Sequence, residues 1–173
     1  MTARVFGFAG WSGSGKTTLI EQLIARLTAG GARVSLIKHA HHAFDVDQPG
    51  KDSHRHRVAG ASEVLISSAN RFAVMHELRG EPELSWQQAV SKLSPCDLVL
   101  IEGYKRAAIP KLEIWRAEIA KPLLFPTDAH IIGLATDDPL PSAVAEPNLA
   151  RYGLADIDAI AAFALQHAAT VAG

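Results

Sequence analysis

Gly10-Trp11-Ser12-Gly13-Ser14-Gly15-Lys16-Thr17 decides how this chain is read. The run fits G-x-x-x-x-G-K-[ST], a loop that cradles the phosphates of a nucleoside triphosphate. Its flanks agree. Val5–Ala9 before it is a short, mostly apolar run, as a buried parallel strand is. After it, Leu19, Ile20, Leu23, Ile24 and Leu27 recur at spacings of three and four, the stripe of an amphipathic helix. Glycines let the backbone curl so that successive N–H groups face phosphate oxygens, and the helix N-terminus adds partial positive charge there. In such a loop Lys16 reaches the β- and γ-phosphates, and the Thr17 hydroxyl is a ligand for Mg²⁺.

Outward from the loop, strands and helices alternate. The first helix is expected to end at Gly30-Gly31, and Arg33–Lys38 reads as a second strand. Asp52 is placed to cap a short helix over Ser53–Gly60. Strands follow at Glu63–Ser67 and Arg71–His76, a loop at Gly80–Leu84, and a helix at Trp86–Leu93. Asp97–Glu102 is the clearest central strand after the first, with four consecutive aliphatics. Lys111–Trp115 and His130–Ala135 are further strands. Pro139, Pro141 and Pro147 mark an irregular connection, and Asp156 can cap a last helix over Ile157–Ala169. The pattern implies an α/β fold: a mostly parallel sheet flanked by helices, one nucleotide-binding domain over residues 1–173. Ligands in such sheets bind beyond the carboxyl ends of the strands, so the loops after Ala9, Lys38, Ile101 and Ala135 are expected around one site.

Composition narrows the class. A formal charge of −1 argues against a general nucleic-acid binder. The single cysteine, Cys96, leaves no internal disulfide framework. No apolar run is long enough to span a membrane, and the start of the chain lacks a secretory pattern, so a cytoplasmic protein is expected.

Six other features bear on the chemistry. Glu102 ends an aliphatic strand. A bound triphosphate carries about four negative charges and needs Mg²⁺, which takes oxygen ligands, and a carboxylate there can hold the ion or orient a water. The alternative is an ordinary polar strand end. Asp47 and Asp52 lie where a switch segment would reach the nucleotide, Asp47 as a water-positioning group and Asp52 as a Mg²⁺ contact; a solvated loop and a helix cap are the plainer readings. His39, His41, His42, His54 and His56 are five of eight histidines, and imidazole suits Zn²⁺ or Ni²⁺, although their spacing fits no closed zinc signature. Trp11 stands where ParA/MinD-like loops carry a second lysine, so that device is missing from the loop itself. Asp137 and Asp138 follow a late strand where guanine is commonly read, but the accompanying lysine is absent and a turn is an equal reading. The stretch from Gly103 to Arg116 is basic with two aromatics, either a receiver for an anion or partner, or a solvated hairpin. These residues point to a nucleoside triphosphate without choosing its base.

Four stretches together resemble one family: G-W-S-G-S-G-K-T-T at Gly10–Thr18, K-H-A-H-H-A-F-D-V-D at Lys38–Asp47, P-G-K-D-S at Pro49–Ser53, and D-L-V-L-I-E-G-Y-K at Asp97–Lys105. They are similar to MobB, the molybdopterin-guanine dinucleotide biosynthesis adapter proteins, themselves similar to SIMIBI-class GTPases. The resemblance runs from the first strand to about Ala135. It implies GTP and Mg²⁺ as ligands, weak GTPase activity at most, a homodimer, and association with a MobA-like guanylyltransferase. Together they would assist conversion of molybdopterin, or its molybdenum form, to the guanine dinucleotide. By position the nucleotide-binding residues are Gly10, Trp11, Ser12, Gly13, Ser14, Gly15, Lys16, Thr17 and Thr18. Lys16, Glu102 and Asp47 are the candidate catalytic groups, and Thr17, Glu102 and Asp52 the candidate metal contacts. Two rival classes remain: a small-molecule kinase with Arg55, Arg57 and Arg71 as a phosphate clamp, and a metal-delivery GTPase using the histidine cluster.

Overall fold

The computed structural model describes residues 2–40, 44–142, 144 and 149–172. It divides into two compact units, Met1–His39 with Trp86–Gly173, and Ala40–Ser85.

The first unit is built on seven strands: β1 (Thr2–Ala9), β2 (Val34–Lys38), β5 (Leu98–Glu102), β6 (Lys111–Ile114), β7 (Ile131–Ala135), β8 (Ala150–Tyr152) and β9 (Ala169–Ala172). Six of them lie in the order β2-β5-β1-β6-β7-β8, all neighbours parallel. β9 pairs antiparallel with the first half of β1, Thr2 opposite Ala172 and Val5 opposite Ala169. The expected mostly parallel sheet is therefore present. Alternation along β1 separates two apolar layers. Phe6 and Phe8, with Leu98, Leu100, Leu112 and Ile114, pack under helix α1 (Lys16–Ala29) and helix α4 (Ile157–His167). Val5, with Val99, Ile101 and Ile109, packs with Val90 of helix α3 (Trp86–Ser91). Phe6 meets Phe8 and Phe163 edge-on, at centroid distances of 5.5 and 5.9 Å. Burying one such ring fully contributes about 1.5–3 kcal/mol.

Several expectations change. The strand expected at Lys111–Trp115 is present as β6, Lys111–Ile114, but it is buried along its whole length, so the solvated-hairpin alternative for this stretch does not hold there. Lys111 is 1% exposed: its ammonium pairs with Asp128 and donates to the carbonyls of Lys105 and Ala107 at 2.8 and 2.9 Å. Glu113 is fully buried and accepts from the Leu124 and Phe125 amides at 2.7 and 2.9 Å. Its charges satisfy internal groups instead of facing water. β8 and β9 are additional strands, and α4 stops at His167 where the sequence suggested Ala169, because Ala169 already pairs with Val5. Asp156 stands at the N-cap of α4, yet its carboxylate accepts from Gly153 N at 2.8 Å and not from a helix amide.

The second unit holds helix α2 (Asp52–Val58) and an antiparallel hairpin of β3 (Glu63–Ser67) and β4 (Phe72–His76). The cap position of α2 is Lys51, so Asp52 is not the cap; it lies in the first turn, 3.7 Å from Arg55. Arg57 is enclosed by Asp45, Asp47 and Glu77. Val64 and Met75 share one face of the hairpin, while Leu65, Phe72 and Val74 are exposed on the other.

Burial pushes the Glu113 carboxyl above its usual 4.5, against the pull of the two amides, and the nearby Asp128 charge pushes it the same way. The native chain thus keeps this proton over a window in which the unfolded chain loses it. Stability is expected to fall as pH rises from about 4.5 through the native pKa. Urea midpoints across that window check this: Glu113→Gln should flatten the decline, and equal slopes in both proteins would refute it. The depressed Asp45 and Asp47 titrate below 3.8 and do not contribute there.

Candidate functional site

The carboxyl ends of β2, β5, β1, β6 and β7 share one edge of the sheet. β1 runs straight into the glycine loop. Gly10 takes φ +146, and a Cβ there would lie 2.5 Å from the Ile114 carbonyl oxygen and 2.7 Å from the Ser14 hydroxyl. Only glycine fits where the loop crosses β6. The loop ends at Gly15, the N-cap of α1, which carries no side-chain cap and no acidic residue in its first turn. The first-turn amides of α1 are therefore left for an anion.

Lys16 folds back over the loop, its ammonium donating to the carbonyls of Gly10 at 2.9 Å and Trp11 at 2.7 Å. Burial lowers its pKa below 10.5; Glu102 opposes that, while Lys105 and Lys38 push further down. An anion beside it would raise that pKa again. Glu102, 7% exposed, ends β5 beside Lys38 of β2. One carboxylate oxygen accepts from the Thr17 hydroxyl at 3.2 Å, and the other lies 3.5 Å from the Lys38 ammonium.

These donors fit the groups they were expected to hold. Mg²⁺ binds oxygens octahedrally at about 2.1 Å, which sets neighbouring ligands about 3.0 Å apart. The Thr17 and Glu102 oxygens, at 3.2 Å, are close to that spacing. For phosphate, the Ser14 hydroxyl is 1% exposed and has no hydrogen-bond partner, an orphaned donor inside the loop.

Gly103 follows Glu102 with φ +96, and a Cβ there would lie 2.7 Å from that of His39. The glycine is required by the close pass of β2's last turn. His39 rests on the Tyr104 ring at a centroid distance of 4.3 Å.

The sequence-based list of loops omitted the one after β6. That loop supplies Arg116, whose Nε donates to the Ser14 carbonyl at 3.3 Å and whose guanidinium lies against Gly15. The signal was present as a cation two residues past Ile114, at the end of an expected strand.

Other candidates belong to the second unit or are engaged by other groups. Asp47 and Asp52 belong to the second unit. The Asp47 side chain is 5% exposed and lies 3.2 Å from Arg57; the Ser53 hydroxyl, donating at 2.7 Å, is the main reason its carboxyl sits below the ordinary range. Arg57, a candidate phosphate clamp, already serves three carboxylates. Asp137 accepts from Leu154 N and Asp138 from Ala117 N, both at 2.8 Å, so both aspartates hold backbone turns. Among the described residues no group of three His, Cys, Asp or Glu side chains is arranged to hold a metal; His41 and His42 lie outside those residues. No helix among them is long and apolar enough to cross a membrane.

Comparison with known proteins places these features in context. Residues 5–137 match the family described as molybdopterin guanine dinucleotide synthesis protein B. The chain is 40% identical over 165 residues to the molybdopterin-guanine dinucleotide biosynthesis adapter protein of Escherichia coli (strain K12), covering 94% of this chain and 91% of that one. It is 43% identical over 136 residues to the protein of the same name from Haemophilus influenzae, covering 79% and 76%. The crystal structure of Bacillus subtilis MobB has the same fold, with a TM-score of 0.71 over 96% of this chain and 98% of that one, at 21% identity.

Proposed function

Because the chain belongs to the family of molybdopterin guanine dinucleotide synthesis protein B, we propose that it is a cytoplasmic, GTP-binding adapter in the making of that dinucleotide. It would present nucleotide to a guanylyltransferase of the MobA kind, which joins GMP to molybdopterin or its molybdenum form. The observation that carries the reading is the meeting of Lys16, Thr17 and Glu102 at the mouth of the glycine loop. Lys16 and the loop amides bind the phosphates. Thr17 and Glu102 hold Mg²⁺, which supplies charge neutralisation on the phosphate oxygens when bound. Asp52 as a further metal contact and Asp47 as a group that orients water belong to the same reading.

Hydrolysis is slow in this reading. Arg116 is engaged by the loop itself, donating to the Ser14 carbonyl at 3.3 Å. A catalytic arginine aimed at the transferring phosphate contributes about 10³–10⁵ in rate, and without one the turnover stays low. The protein acts as a homodimer. Leu65, Phe72 and Val74 form an exposed apolar face on the hairpin, which supports self-association and is checked by the sedimenting mass.

Calorimetry with GTP and ATP, each with and without Mg²⁺, tests the assignment. GTP is expected to bind more tightly than ATP, and removal of Mg²⁺ to weaken binding. Equal affinity for both nucleotides would remove the guanine preference, and indifference to Mg²⁺ would remove the role of Thr17 and Glu102. Turnover of ATP stimulated by one small metabolite would instead favour a kinase.

A further inference from the structure

We propose that Lys105, carried on the ring of Trp11, is a binding residue that reads the terminal phosphate of a nucleoside triphosphate; the proposal rests on the nucleotide-binding reading above. Trp11 is the second residue of the glycine loop and brings no charge of its own. Its ring, however, holds the Lys105 ammonium 4.5 Å from the centroid, with the Lys121 ammonium at 5.9 Å. The indole is itself anchored, Nε1 donating to the Pro122 carbonyl at 2.7 Å. The cation that ParA/MinD-like loops carry at this position is here delivered by another segment.

The main chain is shaped to deliver it. Gly103 and Tyr104, the two residues after Glu102, both have positive φ, +96 and +43. A non-glycine residue in that region stores strain, which persists where the surrounding structure holds it. Here the turn swings Lys105 from the end of β5 to the face of Trp11. The Lys105 carbonyl is then held by the buried Lys111 ammonium at 2.8 Å. The backbone behind the cation is therefore fixed, while its side chain reaches the loop.

The Lys16 ammonium donates to the main-chain carbonyl of the same Trp11 at 2.7 Å, so the two lysines meet one residue, one on its backbone and one on its ring. Lys38 lies 3.5 Å from Glu102, the carboxylate that the Thr17 hydroxyl reaches. Gathering like charges is unfavourable unless an anion joins them. A diphosphate already engages Lys16 and the loop amides. The third phosphate is the additional anion that Lys105 can meet, so its contribution belongs to the triphosphate alone.

Titration of the full chain with GDP and with a β,γ-imido analogue of GTP, both with Mg²⁺, tests this. Lys105→Met should weaken the triphosphate analogue by roughly 10–100-fold, the value of one charged hydrogen bond, and GDP by less than about threefold. Lys105→Arg should restore the preference, and Trp11→Leu should reduce it by removing the perch. Unliganded melting curves are recorded alongside, with Lys105→Gln as a second neutral variant should the methionine variant fail to fold. Equal losses for both ligands would reduce Lys105 to a clip on Trp11 and overturn the inference. So would no loss in a wild-type background that binds both nucleotides. A wild-type chain that binds neither would instead remove the nucleotide-binding reading, and this inference with it.

Discussion

Lys16→Ala should weaken nucleotide binding by roughly 10²- to 10⁴-fold, the loss of two charged hydrogen bonds to phosphate. The lysine stands at the first position of α1, and in the unliganded chain its ammonium is parked on the carbonyls of Gly10 and Trp11. Those carbonyls are close substitutes for phosphate oxygens, so the side chain lies near its working position before any ligand arrives. Alanine is a better helix former than lysine, and removing the ammonium also relieves its repulsion with Lys38 and Lys105. Against that, Glu102 loses an attractive partner. The unliganded fold should therefore barely change. Calorimetry measures the affinity and a melting curve the stability; a well-folded variant that keeps native affinity would show that the phosphates bind elsewhere.

Asp128→Ala is the change expected to destabilise most, by about 3 kcal/mol. Lys111 is 1% exposed, and among its partners Asp128 alone carries the opposite charge. The carbonyls of Lys105 and Ala107 remain, but they leave a full positive charge in the interior. The lower end of the range for breaking buried pairs applies because Asp128 is itself 19% exposed, so water can reach part of the gap. Asp128 also accepts from His130 N at 2.9 Å, which the substitution leaves unpaired. Urea unfolding reads the loss. The double change Lys111→Met with Asp128→Ala should recover much of it, since no uncompensated charge then remains. A single variant as stable as the parent would mean that the pair contributes nothing.

What could be read from the residues alone followed how local the determinant was. The glycine loop, its flanking strand and α1 are specified within about thirty residues, and they are where the motif placed them. Glu102 was legible because four aliphatics precede it on one strand. β6 was legible as a strand, but its burial was not, because its two charged residues are satisfied by groups distant in sequence, Asp128 and the 124–125 amides. β8 and β9, at three and four residues, are too short to show a period, and they exist only through their partners β7 and β1. Asp137 and Asp138 show the limit from the other side: as residues they suit base recognition and turns equally, and their hydrogen bonds are those of turns. Arg116 and the Lys105–Trp11 contact depend on loops meeting across the sheet edge, which no spacing in the chain encodes.

The antiparallel pairing of Thr2 with Ala172 puts the first and last described positions side by side at the base of β1. From Thr2 the strand climbs about 23 Å to Ala9, at about 3.3 Å per residue, before the glycine loop begins. A fluorophore, affinity handle or surface tether fixed at either of these positions would hang from the sheet edge opposite the glycine loop. The glycine loop, at the other end of β1, would be left untouched.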